Sequence, residues 1–398
     1  MIASSRNLPR AAIGCPWCFL AVSVILLTWP GCASQGPVDA RFEATFDTKP
    51  PTTVLAEQNG TAWVVRNGQE CIVLPEIAPG VHEVPVFGGS WVGEWNGDVW
   101  EGVWTDSLRP GDYRVPLRLR RLGSQHALAP PRRQTSTWQT TEGILHLEHA
   151  GDSAWATIST PTGDYRYLSG LIRDNTLNIN TFDGAHLFHF EAEFVGDSLK
   201  NGMFLSGTHY RTTFAGARLR TELPAWSSGQ QRPLDVPLRF EGRNAQGDLV
   251  TLTEDDVAAA GKRGVVVDVM GTWCPNCMDE ARLLAELAPN HPNVLFLSLA
   301  FERSEDEVAL ARISKFKETL GLPWDVWLAG PANKRIASER VGVIDTVRSF
   351  PTTVFWPVGE QAVIHTGFNG PATKEGYAEE RRFFERQLQR INGRSESR

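Results

Sequence analysis

The sequence predicts a chain of two folded parts: a mainly antiparallel β domain, sandwich or barrel, followed by an α/β domain. Three observations carry this. The 398 residues exceed the usual size of one domain. From Thr61 to about Arg220, short alternating runs recur between Gly, Asn and Asp, without helical periodicity of useful length. Beyond Pro237, continuous apolar runs alternate with helix-spaced ones, as in a sheet layered between helices.

Taken in order, residues 1–32 form an export segment. Arg6 and Arg10 precede an apolar run from Ala11 to Trp29, and Gly31-Cys32-Ala33-Ser34 follows. Three fates fit: a lipoprotein signal with Cys32 as lipidated first residue, an uncleaved membrane anchor, or simple secretion. The lipoprotein fate is favoured, although Trp29-Pro30 departs from that pattern. Either of the first two makes the membrane a partner and places the rest of the chain outside the cytoplasm, on the periplasmic side. Residues 33–60, with Pro37, Pro50 and Pro51, read as a tether. Residues 61–222 are the β domain, with runs such as Trp91-Val92-Gly93-Glu94-Trp95 and Tyr113 to Leu119. Two of its stretches, from Gly89 and from Phe182, are loosely alike, which meander geometry explains without a repeat. Residues 223–237, rich in Pro, Ser, Gly and Gln, are the linker.

Residues 238–398 hold the α/β domain. Short strands flank a Gly247-Asp248 turn. Val265 to Met270 is a buried central strand interrupted only by Asp268, and Val294 to Ala300 is another. Pro275 to Ala288 is helical. Glu305 to Leu320 is helical with Ser304 as its N-cap and Glu307 three residues on. Thr352 to Trp356 and Ala362 to His365 are strands, and Thr373 to Ile391 is a closing helix.

Composition is that of an ordinary globular protein, 41% apolar and 21% charged. A net charge of −7 gives no support for nucleic-acid binding. Arg114, Arg118, Arg120 and Arg121 have the spacing of a strand's solvent face. Six cysteines are present. Cys15 and Cys18 lie in the apolar signal, where their CxxC spacing offers no chemistry. Cys71 reads as a small buried hydrophobe. Cys274 and Cys277 are a different case, because they sit where the central strand passes into a helix. Zinc would need two further ligands, yet no cysteine follows Cys277, and His291 and His365 are isolated. Redox chemistry suits the pair. Cys274 at the helix N-cap faces free backbone N–H groups and the positive helix end, both of which favour thiolate. Pro275 at the first helical position loses no hydrogen bond. Cys277, on the inner side of the turn, resolves the mixed disulfide.

The run Val265 to Cys277, with Trp273-Cys274-Pro275-Asn276-Cys277, resembles the thioredoxin superfamily, and more narrowly its TlpA-type envelope thiol-disulfide oxidoreductases. Phe350-Pro351-Thr352-Thr353 matches the family's second landmark, a cis-proline before a strand. The resemblance covers about residues 235–395 and implies a thioredoxin-like α/β fold. It implies that Pro351 is cis and lies against the active disulfide, with Phe350 and Thr352 beside it docking substrate. It implies a docking role for Trp273, with core packing as the alternative. Asp268, an otherwise unpaired buried acid with an expected raised pKa, would resemble the family's proton shuttle to Cys277. An Asp facing a polar loop is the bland alternative. Glu302 reads as a solvated loop acid, although it could approach the site.

The expected activity is thiol–disulfide exchange, without cofactor or metal, on protein disulfides in the cell envelope, fed by a thiol electron donor that the sequence does not identify. The resemblance favours the reductase direction. The rival is an envelope lipoprotein that binds a ligand or cell-wall component. Several of the 14 tryptophans (Trp63, Trp91, Trp95, Trp100, Trp104) leave room for ligand contacts, although core packing explains most of them equally well, and the C-terminal domain would be auxiliary.

Overall fold

The computed structural model describes residues 39–109, 111–123, 132–220 and 231–393. The expected signal segment and Cys32 lie outside the described residues. So do residues 223–230 of the expected linker.

Alternating apolar and polar residues build two successive antiparallel barrels, where the sequence suggested a single β domain. The first uses β1 (Ala40–Phe46), β2 (Thr52–Asn59), β3 (Ala62–Asn67), β4 (Glu70–Leu74), β5 (Glu76–Ala78), β6 (Val81–Val84), β7 (Gly89–Asn96), β8 (Val99–Asp106) and β9 (Arg114–Arg121). Their order is β4-β3-β2-β1-β9-β8-β7-β6-β5. Only Pro75 separates the two edge strands, so the chain itself bridges the sheet's edges. The second comprises β10 (Gln134–Thr140), β11 (Ile144–Ala150), β12 (Ser153–Thr160), β13 (Gly163–Asp164), β14 (Leu168–Arg173), β15 (Thr176–Phe182), β16 (Leu187–Val195), β17 (Ser198–Ser206) and β18 (Tyr210–Arg218). β12 pairs with both β11 and β14, and β18 pairs with β10, which closes the ring.

Two boundaries change. Ala40–Asn59, expected within a tether, are strands of the first barrel, because Phe42, Ala44 and Phe46 alternate inward to its core. The two loosely similar stretches belong to different barrels. Trp63, Trp91, Trp100 and Trp104 are buried. At ~25 cal/mol per Å2 and roughly 200 Å2 each, every one stabilises the core by several kcal/mol. Core packing therefore accounts for four of the five tryptophans considered as ligand contacts. Trp95 remains exposed. The four arginines of β9 do face solvent.

The C-terminal part is a seven-stranded mixed sheet with helices on both faces. Its strands are β19 (Arg239–Arg243), β20 (Leu249–Thr253), β21 (Gly264–Met270), β22 (Val294–Glu302), β23 (Asp325–Pro331), β24 (Thr352–Pro357) and β25 (Val363–Thr366), in the order β20-β19-β23-β22-β21-β24-β25. β21, β22 and β23 run parallel, β24 pairs antiparallel with β21, and β25 pairs antiparallel with β24. Every residue of β21 is buried, as a strand covered on both faces requires. Val266 and Met270 pack with α2 (Pro275–Leu287), α3 (Asp306–Leu320) and α5 (Glu375–Asn392). Val265, Val267 and Val269 pack with α1 (Glu254–Ala259) and α4 (Lys334–Val341). These last two helices were not expected: each is short and presents only one or two buried residues. α3 is capped differently from expectation. Glu305 is its N-cap and makes no side-chain cap bond, while Ser304 Oγ is buried without a partner. The end of the expected linker lies on the sheet, since Gln231 bridges to Ile364. No described helix is long and apolar enough to cross a membrane.

Candidate active site

β21 delivers Gly271 to Cys274 to the N-terminus of α2. Cys274 is the N-cap in extended conformation, and its Sγ accepts from Cys277 N–H at 3.2 Å. Pro275 occupies the first turn, where a missing N–H leaves nothing unpaired. Cys274 and Cys277 form a disulfide with Cα atoms 5.2 Å apart. Cys277 is fully buried and Cys274 is 6% exposed. When the bond opens, the free N–H groups and dipole of α2 favour thiolate at Cys274. The Phe350–Pro351 peptide is cis, and Phe350 O stands 3.5 Å from Cys274 Sγ.

The residues expected to dock substrate are held firmly. Trp273 is half-buried: its indole N–H donates to Phe301 O at 2.9 Å, and Phe350 meets it edge-on. The Arg303 guanidinium lies over its ring at 3.9 Å. Thr352 is buried and its hydroxyl donates to Ser349 O, so its side chain is turned away from solvent. Glu302 is no solvated loop acid. It ends β22 buried and accepts from Thr272 N–H and Oγ1 at 2.7 and 2.8 Å. That fixes the loop entering the disulfide. Burial raises its pKa against those bonds. Cys71, expected as a small buried hydrophobe, is half-buried on β4, and its Sγ accepts from Arg66.

Asp268 is 1% exposed and does not face a polar loop. Its Oδ2 accepts from Ser298 Oγ at 3.3 Å, itself bonded by Trp324 Nε1 at 2.9 Å. Its other neighbour is Glu280, wholly buried on α2; the two carboxyls interact, and Asp268 Oδ1 and Glu280 Oε2 have no other hydrogen-bond partner. Two buried carboxyls this close favour keeping a proton on one of them, because burial and like charge both oppose the doubly ionised pair. Burial pushes Asp268 up to about 7, and burial with the Asp268 charge raises Glu280. Thr353 Oγ1 donates to Glu280 Oε1 at 2.5 Å. Glu280 follows Cys277 by three residues, one turn along the same buried helix face. Sequence reasoning missed it, although an acid on the apolar stripe of a helix is a visible signal. It missed Arg166 too, for which no local signal exists. This arginine of the second barrel donates to Pro275 O at 2.9 Å and pairs with Asp279 of α2 and Glu70 of the first barrel.

No protein-family model matches the chain, and no curated protein matches it. Solved structures similar to part of it include a thioredoxin-family thiol:disulfide interchange protein from Chlorobium tepidum. The two are 18% identical, covering 41% of this chain and 99% of that one, at a TM-score of 0.28. A secreted disulfide oxidoreductase of Mycobacterium tuberculosis is 18% identical over 35% of this chain and 95% of its own, at 0.25. The thioredoxin domain of a thiol-disulfide oxidoreductase from Bacteroides vulgatus is 18% identical over 37% and 95%, at 0.27. At such identities and scores these are partial likenesses, and function has to be read from the chemistry of the site.

Proposed function

We propose that this protein is a thiol–disulfide oxidoreductase of the thioredoxin superfamily, working through Cys274 and Cys277. The carrying observation is the Cys274–Cys277 disulfide at the N-terminus of α2, with the buried carboxyls of Glu280 on that helix and Asp268 on β21. In the reducing direction, Cys274 thiolate attacks a substrate disulfide, forms the mixed disulfide and releases one substrate thiolate. Cys277 then gives up its proton and displaces the second substrate thiolate, leaving the Cys274–Cys277 disulfide. Two electrons pass to the substrate, whose two sulfurs take up two protons. Asp268 on β21 and Glu280, one turn beyond Cys277 on α2, form the buried acid–base pair that takes that proton. A thiol donor then restores the dithiol.

The TlpA-type resemblance supports a reductase of protein disulfides in the cell envelope. The N-terminal segment supports anchoring through a lipid on Cys32. Exchange with a small chromogenic disulfide, driven by dithiothreitol, tests the activity. It should vanish in Cys274→Ser, and an inactive intact protein overturns the reading. Thiol trapping in cells tests direction: a mostly reduced pair means reductase, a mostly oxidised pair oxidase. Metabolic labelling with a fatty-acid analogue should mark the wild type and not Cys32→Ser.

A further inference from the structure

Cys274 keeps only 6% of its surface, and a turn from another domain packs on the segments around it. Two stretches of the α/β domain frame the disulfide: Ser349 to Pro351, with Phe350 O near the sulfur, and the buried loop Gly367 to Gly370 between β25 and α5. The turn Thr160 to Asp164 of the second barrel lies across both. Ser349 Oγ donates to Thr162 O at 3.3 Å. A Cβ on Gly367 would stand 2.5 Å from Thr162 C. A Cβ on Gly163, which sits at φ 130°, would stand 2.4 Å from Asn276 Nδ2 and 3.1 Å from Phe368 O. Asn276, inside the CxxC, donates to Asp164 O at 3.1 Å, and Gly370 N–H donates to Asp164 Oδ2.

Arg166 fastens this turn. It is 4% exposed and sits at φ 56°, a conformation rarely adopted by a residue with a Cβ. One guanidinium holds Pro275 O and Asp279 on the redox helix and Glu70 on the first barrel, joining three domains at the disulfide. The turn's outer residues, Pro161 and Thr162, are exposed. Beside the disulfide, Trp273 and Phe350 are only half-buried.

We propose that the turn Thr160 to Asp164, latched by Arg166, decides which disulfides reach Cys274. Small disulfides pass beside Trp273 and Phe350, and disulfides on a folded protein reach the sulfur only when the turn is displaced. The proposal rests on the disulfide-exchange reading, since it concerns the size of that reaction's substrate. A protein strand cannot lie along Ser349, Gly367 and Asn276 while Thr162 and Gly163 occupy them.

Competition between two thiol labels tests it on the full chain. The reduced protein is offered N-ethylmaleimide together with a maleimide carried on a long poly(ethylene glycol) chain, and the label on the Cys274 peptide is read by mass spectrometry. Wild type should favour the small label over the bulky one by about an order of magnitude more than a free cysteine peptide does, because bulky access requires local opening. Arg166→Met removes the guanidinium shared by Asp279 and Glu70, leaving Asp279 with Arg282 and Glu70 with Asn67. Gly163→Ala places a Cβ against Asn276 without touching a buried charge, and serves where Arg166→Met fails to fold. In either variant the preference should fall toward the peptide value, and insulin reduction should rise relative to reduction of a small disulfide. A wild-type preference equal to that of the peptide overturns the proposal, as does a preference unchanged in the folded variants. Labelling needs no catalysis, so an inactive protein with a strong label preference sinks the activity and leaves the gate standing. An active protein without preference does the reverse.

Discussion

Asp268 and Glu280 tie their protonation to folding. Asp268 moves from an ordinary 3.8 to about 7 because burial opposes its charge, and Glu280 is raised as well. The folded chain therefore holds protons that the unfolded chain has lost. The stabilisation is complete below about pH 4 and disappears as pH rises toward about 7. Denaturant unfolding should show stability falling by up to ~1.4 kcal/mol per pH unit per proton across that window. Asp268→Asn should flatten the slope, and an unchanged slope would show that the pair does not share a proton in solution. The same variant should shift the pH profile of exchange more than its maximal rate, since the group acts through a proton. Asp268 was legible in the sequence as an acid in a buried strand. Glu280 stood out only as an acid on the apolar stripe of α2; its pairing with Asp268 was not legible, because it depends on how α2 lies over β21.

Among the elements, α3 begins without a side-chain cap, since Glu305 occupies the N-cap and bonds no backbone N–H. Glu305→Asp puts a carboxylate within reach of the second or third helical N–H and should raise stability by about 0.5–1 kcal/mol in chemical denaturation. No gain would mean that the first turn of α3 is held by other contacts. Strands and helices with a strong apolar period were legible nearly to the residue. β21 and α2 are examples, since their pattern is set by the surfaces they bury. Helices α1 and α4 were not, because six and eight residues are too few to show a period. Ser304 shows the converse failure: its residue type suits an N-cap, but Glu305, one position later, occupies the N-cap.

At the scale of the molecule, the two barrels are joined by side chains inserted from one into the other. Phe182 of the second barrel stacks on Phe46 and meets Trp91 and Trp104 of the first. Asn67 of the first barrel is fully buried and holds both backbone groups of Phe182, donating to its O at 2.9 Å and accepting from its N–H at 3.4 Å. Asn67→Ala strands those groups and should cost about 1–3 kcal/mol. Calorimetry should show the wild-type barrels melting together, and separate transitions would contradict a shared core.

The sequence by itself determined the α/β character of the C-terminal part, the place of the CxxC between a buried strand and a helix, and the partnership of Cys274 with Cys277. Each follows from residues close along the chain, where period, capping and spacing act directly. Only the tertiary structure decided that the β region is two barrels, that Asp268 meets Glu280, and that Arg166 and the turn Thr160 to Asp164 lie over the disulfide. Those contacts join residues up to about two hundred positions apart: Thr162 O and Ser349 Oγ are 187 apart, and Asp164 and Gly370 are 206. Pairing at that range depends on how whole surfaces fit, and no local pattern of residues records it.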